Sequence, residues 1–374
     1  MHGQIFENLS TIVKERFNPN EEYLGFDKEV NKRKPLVSVC MATYNHEKYI
    51  AEAIESVLMQ ETSFDFELLI GEDESSDETR KICKKYAEEN PDKIRLFLRD
   101  RSRSHLNDEN GKTIQIFNIR WLRLSARGEF YAVCEGDDYW CDKKKLEKQI
   151  LAIREYPDCA MCFHPAKVKN MKTPELNAIT AKHKDTPCLF SVEEVILGGG
   201  PFCPTASILF RKEAFETFDR LTADFLLPVG DVYTQICGAL NGGALFLPDI
   251  MSVYRSGVEG SWTLRNSEYT IFVKHKLDLI KTNREIDSRL NKRYHRAFKQ
   301  RERGEVHRLF KHLYQHDMDV VKKIQEVVRI ETEGILKYRC YKAMFYSYLY
   351  HKMGLKVVTP VLRQLKLRRT NKFF

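Results

Sequence analysis

Four consecutive residues, Glu135-Gly136-Asp137-Asp138, place three carboxylates within one turn. Crowded acids raise one another's pKa unless a cation sits among them. The partner that suits such a cluster is a hard divalent ion with oxygen ligands, often shared with a substrate phosphate. A solvated acidic turn has the same composition, so position decides between the two. The cluster ends the apolar run 130–134. A buried strand ending in acids delivers them to the carboxyl edge of a sheet, where open α/β sheets bind ligands. Another acid, Asp231, stands before a helical pattern through Gln235 and Leu240. It stands where a helix N-cap would. Cys159 and Cys162, followed by His164, have the spacing of half a zinc site. No second pair stands at ligand spacing, and strand residues three apart face opposite sides, so zinc is not expected.

The elements that must hold these residues alternate along the chain. An apolar strand at 36–42 runs into the turn Thr43-Tyr44-Asn45. A helix at 47–60 follows, with Ile50, Ala53, Ile54, Val57 and Leu58 on one face. A second strand, 66–71, ends in the polar turn from Glu72 to Asp77, and a helix carrying Ile82 and Tyr86 stops near Pro91. A third strand at 94–98, a polar loop at 99–111 and a helix at 116–124 lead to the acidic turn. Three such alternations predict a largely parallel sheet with flanking helices. No Gly-x-Gly-x-x-Gly follows the first strand and no Gly-Lys-Ser/Thr loop exists, which argues against dinucleotide and P-loop folds.

After the acidic turn, the pattern predicts a helix from Asp142 to Pro157 and a strand at 159–163. Loop at 165–190, a capping box at Ser191–Glu194 and a strand at 205–210 come next. A helix from Lys212 and short strands at 244–247 and 251–254 follow. From about Ser267 onward, long helical patterns take over. The expected organisation is a lead-in at 1–35, an α/β domain at 36–262 and a basic helical region at 263–374.

Bulk composition bounds the function. The 374 residues are 43% hydrophobic and 30% charged, as a soluble globular protein requires. A net charge of +8 without a recognisable binding motif does not point to nucleic acid. Residues 1–34 lack the apolar core of a secretion signal, and no run reaches about 18 apolar residues, so no span is expected. Scattered cysteines suit a reducing compartment, and the cytoplasm is expected. Beyond Glu333 the chain has ten Lys and Arg and no acid, with apolar Val358, Val361, Leu362 and Leu365. Such an end suits peripheral contact with the inner, anionic face of a membrane, or a packed helix with a solvated basic face.

Three segments in this order resemble the family 2 glycosyltransferases. They are Val39-Cys-Met-Ala-Thr-Tyr-Asn45, Glu67-Leu-Leu-Ile-Gly-Glu-Asp-Glu-Ser-Ser-Asp-Glu-Thr79 and Gly128-Glu-Phe-Tyr-Ala-Val-Cys-Glu-Gly-Asp-Asp138. The resemblance covers about residues 36–262. It implies a GT-A fold and an inverting, metal-dependent transfer of sugar from a nucleotide donor to a glycan or lipid-linked acceptor in polysaccharide biosynthesis. By position, it implies that Thr43, Tyr44 and Asn45 face the nucleotide. Asp73 would accept from a uracil imide, which favours a UDP-linked donor. Glu135 and Asp137 would lie at the ribose and diphosphate, with Asp137 and Asp138 as ligands of Mn²⁺ or Mg²⁺. Asp231 would be the general base, and Arg255 and Trp262 would belong to a loop closing over the donor. Arg120 and Arg123 read as surface residues, with a phosphate contact as the sharper alternative. Two rivals are a nucleotidyltransferase, whose glycine-rich basic loop is absent here, and a non-catalytic sugar-nucleotide or glycan binder.

Overall fold

The computed structural model describes residues 9–18, 21–107, 113–173, 177–222, 224, 227, 230–259, 261 and 269–316. Helix α1 (Leu9–Arg16) and the single turn α2 (Glu29–Lys32) precede a regular alternation: β1 (Val37–Thr43), α3 (Ile50–Leu58), β2 (Phe66–Glu72), α4 (Thr79–Glu89) and β3 (Ile94–Leu98). Next come α5 (Arg101–Ser104), the hairpin β4 (His105–Asn107) and β5 (Thr113–Ile116), and α6 (Asn118–Ser125). The acidic turn separates β6 (Phe130–Val133) from β7 (Tyr139–Trp140). Beyond it lie α7 (Lys145–Arg154), β8 (Met161–Phe163), β9 (Ala166–Asn170), β10 (Asn177–Thr180), β11 (Cys188–Phe190) and α8 (Val192–Gly198). The order ends with β12 (Leu209–Arg211), α9 (Lys212–Thr222), α10 (Asp231–Ala239), β13 (Ala244–Phe246), β14 (Ser252–Ser256), α11 (Tyr269–Arg289) and α12 (His295–His316).

Eight strands form the central sheet in the order β11-β13-β8-β12-β6-β1-β2-β3. Only β11 and β12 run against the rest, so the sheet is mostly parallel. The fold is the α/β class that the alternation predicts, with helices on both faces. Pleating sends alternate residues to opposite sides. Val37, Val39 and Met41 therefore join Phe66, Leu68 and Ile70 in the core beneath α3 and α4. Cys40, Leu69 and Tyr131 join the core on the other face, with residues of α9 and α10. Helices α11 and α12 lie on that second face. Tyr233 donates to Oδ1 of Asn283 at 3.2 Å, and Arg301 donates to the carbonyl of Ile196 at 2.6 Å.

A smaller sheet, β10-β9-β14-β7, stands beside the first. It corrects the sequence reading, which left 165–190 as loop. Ala166-Lys-Val-Lys-Asn170 alternates in period 2, and its polar side is solvated, so apolar runs alone do not reveal it. The loop expected at 99–111 holds α5 and β4, and β5 takes Ile116 out of the helix expected there. Ser191 and Glu194 do form the reciprocal capping box at the start of α8.

The lead-in is bound to the domain. Tyr23 donates its N–H to the Leu96 carbonyl at 2.7 Å, and Glu22 bridges to Phe97, so residues 22–23 run along the outer edge of β3. That edge would otherwise offer unpaired backbone groups. Asparagine at position 45 and glutamate at position 74 take φ of +53° and +59°, a left-handed conformation that lets both turns fold back sharply at the carboxyl edge.

Candidate active site

Register brings three strand ends level. Thr43 pairs with Glu72, and the acidic turn continues alongside β1, with Cys134 donating to the Cys40 carbonyl and Gly136 to that of Ala42, both at 3.1 Å. Glycine is required at 136. A Cβ there would lie 2.6 Å from Oγ1 of Thr43 and 2.9 Å from Nδ1 of His46. The Asp73 N–H donates to the Thr43 carbonyl at 3.0 Å, tying the second turn to the first.

Asp73 is buried, yet its carboxylate is fully oriented. Oδ1 accepts from Ser104 at 2.9 Å, Oδ2 bonds Nε2 of His105 at 2.8 Å, and Arg101 approaches at 3.5 Å. The same Arg101 guanidinium lies over the Tyr44 ring at 4.1 Å. Tyr44 itself is exposed. Asn45 spends its side-chain oxygen on the N–H of Ser76 at 2.9 Å and its own N–H on Ser75 at 3.0 Å. Glu72 is sealed off from solvent and held by Arg80 and by the Ser75 N–H, at 2.6 Å for the latter. It braces the turn from within.

The acidic turn has a different electrostatic character. Burial pushes Glu135 well above the usual carboxylate range, and the charges of Asp231, Asp137 and Asp138 push it further. Burial and the neighbouring Asp137 likewise raise Asp138, against the opposing pull of Arg255. Asp231 opens α10 with Gly230 as its N-cap, so it occupies the first helical turn rather than the cap. It remains exposed to solvent, while the protein around it raises its pKa through desolvation. Asp231 lies 96 positions beyond Glu135 in sequence, and the fold makes the two electrostatic neighbours. The charge of Asp231 is therefore felt at the acidic turn.

No group of three or more His, Cys, Asp and Glu side chains is preassembled to hold a metal ion among the described residues. The donor set suits a cation that takes one or two carboxylates and completes its shell with waters and substrate phosphates. The unrelieved repulsion among Glu135, Asp137 and Asp138 fits the same ion.

Arg255 stands across from the acidic turn because β14 pairs with β7, Val253 opposite Tyr139. Trp262 lies outside the described residues. Arg120 is buried and Arg123 half-buried, which corrects the surface reading. Both guanidiniums lie against the Phe218 ring, and burial holds Arg120 down to about 10. His164 is also buried, with Nδ1 against the Pro165 carbonyl at 2.9 Å. No disulfide links the described cysteines, and Cys159 and Cys162 bond to backbone carbonyls and Gln149.

Sequence reasoning missed Arg101, Ser104 and His105 around Asp73, and His46 and Glu52 near the acidic turn. His46 had a signal, since it directly follows Thr43-Tyr44-Asn45. Burial lowers its pKa, and Asp137 pulls the other way.

Residues 38–107, which carry the first two turns of this edge, match the family described as glycosyl transferase family 2. The chain is 32% identical over 240 residues to an uncharacterized protein of Mycobacterium tuberculosis, an alignment spanning 63% of the chain and 62% of the relative. It is 30% identical over 184 residues to an uncharacterized glycosyltransferase of Nostoc, spanning 48% of the chain and 52% of the relative. The chain thus spans between half and two thirds of the length of these relatives. Among solved structures it is similar to Staphylococcus aureus TarS 1–349 in complex with UDP-GlcNAc, at 17% identity and a TM-score of 0.48, covering 74% of this chain and 81% of that one.

Proposed function

We propose that the chain is an inverting, metal-dependent glycosyltransferase that moves a sugar from a UDP-linked donor to a glycan or lipid-linked acceptor in polysaccharide biosynthesis. One observation supports the reading: the charge of Asp231, at the start of α10, reaches Glu135 in the acidic turn, which lies at the same sheet edge as the Thr43 and Asp73 turns. That is the minimum set for holding a base, a diphosphate and an incoming hydroxyl at once.

In this reading Thr43, Tyr44 and Asn45 form the wall against the nucleotide. Asp73, held by Ser104 and His105, accepts from the base. Glu135 serves the ribose, and Asp137 and Asp138 are the residues that would hold Mn²⁺ or Mg²⁺. A divalent ion bound there would supply Lewis-acid stabilisation of the departing diphosphate. Asp231 accepts the acceptor's hydroxyl proton as that oxygen attacks the anomeric carbon from the side opposite the leaving group. Its raised pKa suits a base, because proton transfer is most effective when the catalytic pKa approaches the working pH. Trp262 would cover the sugar.

Titration of the full chain with UDP- and GDP-linked sugars, with and without Mn²⁺, tests donor binding. Product analysis tests the chemistry, since free nucleoside diphosphate supports the reading and pyrophosphate supports a nucleotidyltransferase. Asp231→Asn is expected to keep donor affinity within about twofold and to lower transfer by about 10²–10⁴. A large loss of donor affinity in that variant would argue against the base role.

We place the transferase unit at 36–262, with the lead-in before it and the helical region 263–374 after it. No helix among the described residues is long and apolar enough to cross a membrane. The basic end, 334–374, lies outside the described residues, and its proposed contact is a peripheral one with an anionic bilayer on the cytoplasmic side. Equal binding to anionic liposomes by the full chain and a chain ending at 333 would count against it.

A further inference from the structure

The family resemblance sends Arg255 to a loop closing over the donor, but the fold commits that side chain elsewhere. Arg255 is 2% exposed. Its guanidinium lies over the Tyr139 ring at 4.5 Å and the Tyr49 ring at 5.2 Å. Nη1 donates to the Asp137 carbonyl at 2.7 Å, and Nη2 pairs with the carboxylate of Glu52. The backbone N–H of the same residue donates to Oδ1 of Asp138 at 2.9 Å. A single residue of β14 therefore grips both aspartates of the turn, one by its carbonyl and the other by its carboxylate.

Glu52 makes that grip compatible with a cation site. An arginine placed beside an acidic cluster would ordinarily neutralise it, and a neutralised cluster has little affinity for a divalent ion. Here the fork is divided. One arm holds a main-chain oxygen, and the other discharges onto Glu52, in the first turn of α3 with half its side chain in solvent. The Asp137 carboxylate is left free of Arg255, and the loop holding it is fixed. We infer that Glu52 and Arg255 form a brace that positions the acidic turn, and that Glu52 keeps the guanidinium off the carboxylates that face the cation. The cation part of this inference rests on the proposed function; the brace itself does not. Both are positioning residues, with no contact to substrate required of either.

The test uses the full chain and Glu52→Gln, which keeps shape and hydrogen bonding but removes the charge. Arg255→Lys, which keeps charge but loses the fork, is the second variant. In the metal-free protein, amide exchange of peptides covering 134–140 is expected to rise several-fold in both variants, while that of 66–72 stays unchanged. Unchanged exchange over 134–140 overturns the brace, whatever the chain binds. With UDP held constant, half-saturating Mn²⁺ is expected to rise about 10–100-fold in Glu52→Gln, the usual cost of losing a group that orients metal ligands. Wild-type Mn²⁺ affinity in that variant overturns the charge-diverting role. Tighter metal-free UDP binding would do so too, because it would make Arg255 a phosphate ligand released from Glu52. If the wild type shows no Mn²⁺ dependence with UDP or GDP, the proposed function fails, and the exchange measurement still decides the brace.

Discussion

Both ends of the central sheet bury carboxylates, and they do not treat them alike. At the amino edge, Glu67 accepts from Ser38 at 2.7 Å, from the Arg127 N–H at 3.0 Å and from the Arg127 guanidinium at 2.6 Å. Arg95 joins it to Glu22, which also pairs with Lys28 at 2.9 Å. Burial alone would push the Glu22 carboxyl up, and bonds from Arg95, Asn31 and Lys28 outweigh it and leave the group below its ordinary value. At the carboxyl edge Glu72 and Asp73 are paired as well, but Glu135, Asp138 and the exposed Asp231 all stand above their ordinary values. Paired charges hold the lead-in and three strands together. Crowded carboxylates are a cost of the folded state that a ligand can relieve, and that asymmetry sets the acidic turn apart as the candidate site.

Exchanging the two behaviours should break the comparison. Asp137→Ala is expected to lower transfer by at least about a thousandfold, since several kcal/mol of charge stabilisation go with it. Its melting temperature should hold or rise, because one repelling carboxylate is gone. A destabilised Asp137→Ala would mean that the turn is scaffold after all, and calorimetry beside a transfer assay reads both. Glu67→Ala should do the reverse. It strands buried Arg95 and the Arg127 fork, at a cost of about 3–5 kcal/mol in urea unfolding. Nucleotide affinity of the folded protein should not change.

Lys145 sharpens the rule by asking whether an unpaired buried charge always signals a site. It is fully buried, donates to Gln149 at 2.7 Å and lies over the Trp140 ring at 4.1 Å. Burial lowers it from 10.5 to about 7. Below about pH 7 both folded and unfolded chains hold that proton, and the folded state carries the full desolvation cost. As pH climbs towards 10.5, only the unfolded amine keeps its proton, so this contribution to stability improves. One pKa unit is about 1.4 kcal/mol, which bounds the cost at about 5 kcal/mol. Leaving Gln149 unsatisfied offsets about 1–3 kcal/mol of that. Lys145→Met should therefore stabilise the protein by about 2 kcal/mol at pH 6, and the gain should vanish by pH 10. Unfolding curves at the two pH values check this, and an unchanged transfer rate would class Lys145 with the core.

The sequence displayed the strands that are buried on both sides, because β1, β2 and β3 are nearly continuous apolar runs, broken only by Ser38, Glu67 and Arg95 near their amino ends and by small or polar residues at the carboxyl ends of β1 and β2. It displayed the acidic turn for the same reason, as the abrupt end of such a run. Ala166-Lys-Val-Lys-Asn170 was harder to see because its alternate residues meet water. The brace was illegible altogether: Glu52 and Arg255 are 203 positions apart, and no spacing connects a half-exposed helix glutamate to an arginine on a second sheet. His105 is hidden similarly, in what reads as polar loop until its imidazole is found on Asp73. Pattern exposes groups that share one element. Partnerships across elements appear only once the chain is folded.

The contact of Gly136 with Thr43 and His46 has a kinetic consequence. With no slack between the Thr43 turn and the turn carrying the acids, and with nucleotide and diphosphate seated as proposed, a shift of one turn displaces the other. A donor whose base seats poorly against Thr43 and Asp73 would then carry its phosphates out of line with Asp137. Such a donor can still bind through its other contacts, but its reacting carbon is displaced from the attacking oxygen. Discrimination among donors would thus be expressed in kcat more than in KM, because misplacement of about 1 Å at the reacting centre costs on the order of a hundredfold in rate.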